Sequence, residues 1–202
     1  MLRAMPTKHA PATLRNREPI LAVLDRVLPE QGFVLEIASG TGEHATYFAP
    51  RLPGVIWQPT DRDAASLDSI AAWTAELAAT NVRPPLVLDV CASTWPVESA
   101  DAIFCANMIH IAPWEAALGL LAGAGRILPV GGVLVLYGPF MVDHRHTAPS
   151  NAAFDESLRA RDPAWGVRDL GEVTEVARTH GLALLERIEM PANNLMVVLE
   201  RT

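Results

Sequence analysis

The run Val34-Leu35-Glu36-Ile37-Ala38-Ser39-Gly40-Thr41-Gly42-Glu43 narrows the fold more than any other stretch of this chain. An apolar strand carrying one acid passes through a glycine turn and enters a helix whose first turn holds Glu43, the opening of an α/β unit. The same alternation continues along the sequence. Ile20, Leu21, Val23, Leu24, Val27 and Leu28 predict a helix over 17–28, with Asn16 as its cap and Pro19 in its first turn. Strands are expected at 33–37, 55–61, 86–90, 101–106 and 133–137, and helices at 43–52, 63–79, 113–128 and 172–180. Residues 182–188 and 195–199 face each other across Met190-Pro191-Ala192-Asn193-Asn194 as a closing hairpin.

Alternating strands and helices predict an α/β, Rossmann-like, mostly parallel sheet covered by helices on both faces, with the hairpin adding an antiparallel member. The 202 residues suit one domain, with a helical segment over 1–30. Residues 138–171 break the alternation. They are polar, rich in His, Asp, Asn and Arg, and longer than an ordinary connection, and are expected to form a lid-like insertion over the ligand crevice.

The formal charge of −7 argues against a nucleic-acid surface. Cys91 and Cys105, the only cysteines, fall in or beside expected buried strands and read as reduced core thiols. Residues 1–11 carry Arg3 and Lys8 without a signal-length apolar run, and no stretch approaches the roughly 20 apolar residues of a membrane span. A cytoplasmic protein with no membrane or nucleic-acid partner is expected. Its state of association is left open.

Ligands of open α/β sheets bind outside the carboxyl ends of the strands. Four strand ends here carry polar groups. The first brings Glu36 and the loop Ala38, Ser39, Gly40 and Gly42; the second brings Asp61 and Arg62; the third brings Asp89 beside Val90; the fourth brings Asn107, Met108 and His110. Asp61 lies about 20 residues past the loop, where a carboxylate accepts ribose hydroxyls. Gly40-Thr41-Gly42-Glu43-His44-Ala45 satisfies the dinucleotide pattern on letters, so an NAD-dependent oxidoreductase is one reading. Glu36 and Glu43 oppose it, because both repel a pyrophosphate on the helix N-terminus. S-adenosylmethionine carries a sulfonium, an ammonium and one carboxylate, and suits such a loop better. In this reading Glu36 supports the loop or the ammonium, while the loop amides face the carboxylate.

The chain resembles the class I S-adenosylmethionine-dependent methyltransferases, and more closely the uncharacterised family of domain-of-unknown-function number 938. The resemblance is carried by Asn16-Arg17-Glu18-Pro19-Ile20-Leu21, Trp57-Gln58-Pro59-Thr60-Asp61, Phe104-Cys105-Ala106-Asn107-Met108-Ile109-His110-Ile111, Tyr137-Gly138-Pro139-Phe140, Arg161-Asp162-Pro163-Ala164-Trp165-Gly166-Val167-Arg168-Asp169 and Met190-Pro191-Ala192-Asn193-Asn194-Leu195. It implies a seven-stranded sheet of order 3-2-1-4-5-7-6 with the seventh strand antiparallel. It also implies that Glu36, Gly40 and Gly42 hold the methionine moiety, Asp61 the ribose, and Asp89 with Val90 the adenine, while Asn107 and Met108 line the pocket beside the sulfonium. One position departs from the class pattern: Ala38 stands where the loop ordinarily has glycine, and the loop is expected to be slightly remodelled, because alanine disfavours positive φ.

Methyl transfer is an in-line displacement, and a general base is needed only when the acceptor must lose a proton. His110, with an unperturbed pKa of about 6.5, is the first candidate base. Tyr137, His144, His146 and Asn151 are candidate substrate contacts, and Arg17 a candidate partner for a carboxylate. His144 and His146 form an H-x-H pair with no evident third ligand, so no metal is expected. The chain lacks the Asn-Pro-Pro-Tyr type motif of nucleic-acid amino-methylating enzymes. A small-molecule acceptor is therefore expected, with oxygen, sulfur and nitrogen all open. A protein that keeps the pocket without turnover is the third reading.

Overall fold

A computed structural model of the chain describes residues 7–202. Residues 1–6, including Arg3 and the first part of the expected helical segment, lie outside the described residues. The elements run α1 (Pro11–Val27), β1 (Gly32–Ile37), α2 (Glu43–Phe48), β2 (Val55–Asp61), α3 (Ala64–Glu76), β3 (Leu86–Val87), β4 (Ala102–Ala106), α4 (Trp114–Ile127) and β5 (Val133–Gly138). The insertion follows as β6 (Met141–Val142), β7 (Arg145–His146) and α5 (Pro149–Arg161), and the chain closes with α6 (Leu170–Thr179), β8 (Leu182–Met190) and β9 (Asn194–Arg201).

The sheet order is β3-β2-β1-β4-β5-β9-β8, and β6 with β7 forms a separate hairpin. Counting only the strands of the main sheet, this is the expected 3-2-1-4-5-7-6. The strand β9 runs antiparallel to both β5 and β8, while β1, β2, β3, β4 and β5 are parallel. Both faces of the sheet are buried. One packs Leu35, Ile103, Leu134 and Val197 against Leu120 and Leu121 of α4 and Val173 of α6. The other packs Val34, Phe104 and Val135 against Ile20 and Leu24 of α1 and Phe48 of α2. Phe48 meets Trp57 and Phe104 at ring-centroid distances of 5.8 Å, so large rings fill the space between α2 and the sheet.

Several boundaries differ from expectation. The helix α1 begins six residues early, at Pro11, whose fixed φ suits a first turn. Asn16 is not its cap; Asn16 Oδ1 lies 2.9 Å from His44 Nε2, and Pro19 sits inside the helix. Pro50 shortens α2 to a helix of one and a half turns followed by a 3-10 turn, Ala49–Arg51. The strand β3 is only Leu86–Val87. Pro84 and Pro85 offer no N–H upstream, and the Asp89 carboxylate ends the strand by accepting from Cys91 N at 2.9 Å. Cys91 is consequently exposed rather than buried, whereas Cys105 is buried. Asp169 starts α6 two residues early by accepting from Gly171 N and Glu172 N, and its second oxygen accepts from His144 N at 2.8 Å, tying the β6–β7 turn to this helix.

The turn after β1 keeps a left-handed geometry at Ala38, with φ 55°, followed by Gly40 at 58° and Gly42 at 88°. Ala38 thus adopts a left-handed conformation that glycine favours and alanine ordinarily avoids. The tertiary frame enforces it, since Ser39 N donates to Thr60 O at 2.8 Å and Ser39 Oγ accepts from Thr60 N at 3.1 Å. Holding a non-glycine residue there costs about 1–2 kcal/mol. Ala38→Gly should relieve that strain and offset glycine's entropic penalty of about 0.5–1 kcal/mol, leaving stability unchanged or slightly raised in urea denaturation. A loss above about 1 kcal/mol, the usual scale of an unfavourable glycine substitution, would contradict this account.

Candidate functional site

The carboxyl ends of β1 and β4 lie side by side where the strand order reverses, Ile37 opposite Cys105, and the chain leaves them in opposite directions. Such a switch point opens a crevice. A cleft of about 500 Å³ lies here, lined by Ile37, Ala38 and Gly40 from the first turn, Asp61 and Arg62 from the second, and Leu88 to Cys91 from the third. Ala106, Met108 and Ile111 to Pro113 continue the wall into Glu115 and Ala116 of α4, and Trp165 closes it from the insertion.

Asp61 joins the first two turns. It is 8% exposed; Oδ2 accepts from Gly40 N at 2.9 Å and Oδ1 from Asp63 N at 2.9 Å. An ionised carboxylate has about four acceptor sites, so each oxygen keeps one for a ligand. Gly42 brings α2 close to α3, because a Cβ there would lie 2.7 Å from Ile70 Cα. Gly40 is different: the nearest atom to a Cβ built on it is Ala38 O at 4.0 Å. Its open side is a place for a ligand to approach main chain.

Of the expected cofactor contacts, Ala38, Gly40, Asp61, Arg62, Asp89, Val90 and Met108 line the cleft. Glu36, Ser39 and Gly42 lie behind it and shape the loop. Glu36 is 2% exposed and accepts from Trp57 Nε1 at 2.9 Å, so it braces β1 against β2. Asn107 does not line the cleft; at φ 62° it makes the turn after β4, its N donating to Tyr137 O at 2.7 Å and its O accepting from His110 N at 3.0 Å. Arg17 is also elsewhere, stacked 4.3 Å above the Tyr47 ring, with Nε buried and unpartnered among the described residues. The expectation that loop amides face a ligand carboxylate is corrected for three of them. Ser39 N, Gly40 N and Gly42 N donate to Thr60 O, Asp61 Oδ2 and Ser39 O.

The candidate base requires a larger correction. His110 is fully buried and outside the cleft, and its Nδ1 accepts from Arg168 N at 3.1 Å. The imidazole lone pair is thus committed, and the neutral ring carries its proton on Nε2. A histidine in that state does not take a proton from an acceptor. The expected substrate contacts are likewise absent from the cleft. Tyr137 is buried in the cluster that packs against α1. Asn151 Nδ2 donates to Thr147 Oγ1 and Asn193 O, bracing the β8–β9 turn. His144 stands 3.7 Å from Glu172 and His146 3.6 Å from Asp155, each an ion-pair distance to a separate acid. Among the described residues no three potential ligands are grouped to hold a metal ion. The wall from Ile111 to Ala116 was missed, although it directly follows the recognised fourth strand end. Trp165 gave no sequence signal for this location.

The frame is a Rossmann-like fold shared with solved methyltransferase structures. An O-methyltransferase family protein from Burkholderia thailandensis superposes with a TM-score of 0.80 at 18% identity, over 95% of this chain and 57% of that one. Mitomycin 7-O-methyltransferase superposes at 0.79 with 16% identity, over 95% of this chain and 54% of that one. This chain thus spans little more than half the length of those two. A putative sarcosine dimethylglycine methyltransferase from Galdieria sulphuraria gives 0.76 at 15% identity, over 95% of this chain and 87% of that one. The chain belongs to the family described as "Protein of unknown function (DUF938)", which it matches over residues 7–201.

Three buried groups near the site titrate abnormally. Burial pushes Glu36 up to about 7 from 4.5, against the hydrogen bond from Trp57. Burial pushes His44 down to about 4 and His110 to about 3 from 6.5. Each histidine is neutral when folded but gains a proton when unfolded below pH 6.5, so its contribution is present above 6.5 and lost as pH falls toward the folded value. Glu36 acts oppositely, contributing below 4.5 and losing that contribution as pH rises through about 7. Two groups outweigh one between pH 4.5 and 6.5, so the thermal midpoint should fall on acidification across this window. His44→Gln should flatten the dependence. A midpoint that climbs as the wild-type protein is acidified from 6.5 to 4.5 would reject these assignments.

Proposed function

We propose that the protein is an S-adenosylmethionine-dependent methyltransferase acting on a small-molecule acceptor. The observation that carries this reading is the Asp61 carboxylate accepting the Gly40 amide. In a dinucleotide site that amide would be offered to phosphate. Here a carboxylate occupies it, and the neighbouring amides of Ser39 and Gly42 are engaged by carbonyls. The cleft wall carries Asp61, Asp89 and Glu115 against Arg62 alone, a field that favours a cationic ligand over a polyanion.

The residues present fit this cofactor. The open side of Gly40 admits close approach to main chain, and both Asp61 oxygens keep a free lone pair at the rim. When bound, S-adenosylmethionine supplies a methyl group already activated by the sulfonium. Asp61 holds the ribose hydroxyls, and Asp89 with Val90 borders the base. Ala38 and Met108 wall the cleft with apolar surface that excludes water and orients the reactive end. With His110 committed to Arg168, this reading assigns it no part in deprotonating the acceptor. The structural likeness to an O-methyltransferase family protein, to mitomycin 7-O-methyltransferase and to a putative sarcosine dimethylglycine methyltransferase supports methyl transfer, with oxygen, sulfur and nitrogen acceptors all open. The free thiols Cys91 and Cys105 suit the reducing cytoplasm.

Calorimetry with S-adenosylhomocysteine and with NAD tests the cofactor. The former is expected to bind at concentrations where NAD gives no signal; NAD binding alone would overturn the proposal in favour of an oxidoreductase. A labelled methyl donor in cell extract should yield a labelled small molecule, and binding without any labelled product would reduce the protein to a cofactor-binding role.

Asp61→Ala should weaken S-adenosylhomocysteine binding by about 1.5–3 kcal/mol, the scale of charge-assisted hydrogen bonds. Asp61→Asn, which retains one acceptor, should lose less. Unchanged affinity in both variants removes Asp61 from the site.

A further inference from the structure

The segment between α5 and α6 is bound with unusual completeness to the turn that follows β4. Gly166 N donates to His110 O at 3.0 Å, and Arg168 N to His110 Nδ1 at 3.1 Å. The Arg168 guanidinium reaches Ile109 O at 2.9 Å through Nε, and Ala112 O at 2.6 Å and Ala164 O at 2.9 Å through Nη2. From the other side, Val167 N donates to the buried Asp155 carboxylate at 2.7 Å. These bonds fix a loop that carries one large side chain, Trp165, to the cleft. Gly166 and Val167 beside it are buried, yet the indole itself is only partly so. A fixed loop that leaves a tryptophan part-exposed at a cleft is a preorganised ligand wall.

The anchor points decide which end of the cleft this is. Ile109 to Ala112 lead into α4, whose Glu115 and Ala116 share the wall with Val90 and Cys91. Gly119 brings α4 against that same turn, since a Cβ there would lie 2.5 Å from Val90 O. This corner belongs to the ends of β3 and β4, on the far side of Asp89 and Val90 from Asp61. In the methyl-donor reading, which gives Asp61 the ribose and Asp89 with Val90 the base, it is the end of the cleft that takes the base.

We propose that Trp165 stacks on the adenine of the bound cofactor, and that Arg168 and His110 are positioning residues that hold the indole at the cleft. The proposal rests on the methyl-donor reading. An indole offers a broad π-face to a purine, and such stacking tolerates the flat heterocycle without hydrogen-bond matching. The buried neutral His110 gains a role in place of the catalytic one: its lone pair receives the Arg168 amide.

The test is calorimetry of the full chain with S-adenosylhomocysteine and, separately, adenosine. Trp165→Ala should weaken both by about ten-fold or more, the loss of one base–aromatic stack, and Trp165→Phe should retain most of the affinity. Arg168→Lys loses the forked contacts and should weaken both ligands, but should add nothing in a Trp165→Ala background. An equal Arg168→Lys loss in both backgrounds overturns the positioning role. Wild-type affinity in Trp165→Ala overturns the stack while leaving the cofactor assignment standing. A Trp165→Ala enzyme that binds both ligands normally but has a raised KM for the acceptor places the indole on the acceptor instead. Failure of the wild-type chain to bind S-adenosylhomocysteine removes the cofactor reading and this proposal with it.

Discussion

The hydrogen bond from Gly40 N to Asp61 Oδ2 ties the turn after β1 to the end of β2, beyond the last paired residues of the two neighbouring strands. Everything at the mouth of the cleft is referred to it. Below it, Ser39 and Thr60 exchange main-chain and hydroxyl bonds, and deeper still Glu36 accepts from Trp57. These cross-links rise along the same pair of strands from buried core to cleft rim. They help explain how Ala38 is held at φ 55° without a glycine's freedom: Ser39 after it is pinned to Thr60 of β2, and Ile37 before it is paired with Cys105 of β4. The strain is localised where main chain must turn sharply beside a ligand, the kind of place where proteins tolerate it.

The same cross-links give the loop its chemical character. A glycine turn before a helix ordinarily presents free amides to an anion. Here the helix start is screened by acids, since Glu43 accepts from Ala10 N and from Thr41 Oγ1, and Asp61 takes Gly40 N. The letters Gly-Thr-Gly therefore describe a turn in which both glycine amides are already used. Backbone shape is shared with dinucleotide folds, but the field at the loop is not.

Much of this was legible in the chain because it follows local rules. Strand and helix periods located the elements outside residues 138–171, where β6, β7 and α5 went unread, and the strand-end acids Asp61 and Asp89 announced themselves by position. What escaped depends on long-range partners. Asn16 looks like a helix cap, but tertiary contact turns it to His44 and the helix starts at Pro11 instead. Asn107 stands at a strand end as expected, yet its left-handed φ spends it on a turn. Trp165 lies in a polar insertion with no periodicity, and only Asp155, Ile109, His110 and Ala112 reveal where its loop is tied. Burial of a single histidine is invisible in sequence, because imidazole is equally at home in a core or a site.

His110 shows how far a strand-end position can mislead. It directly follows the motif at the end of β4, and its ordinary pKa suits proton transfer, so sequence logic assigns it to chemistry. The fold instead covers it with Phe140, whose ring meets the imidazole edge-on at 4.8 Å, and gives its lone pair to Arg168 N. Gly138 makes that possible, because a Cβ there would come within 2.6 Å of Nε2. A neutral, fully enclosed imidazole serves as an acceptor with a fixed direction, and direction is what the loop bearing Trp165 needs. The residue is tied to the cleft through the backbone it holds, and its buried position is the means by which it holds it.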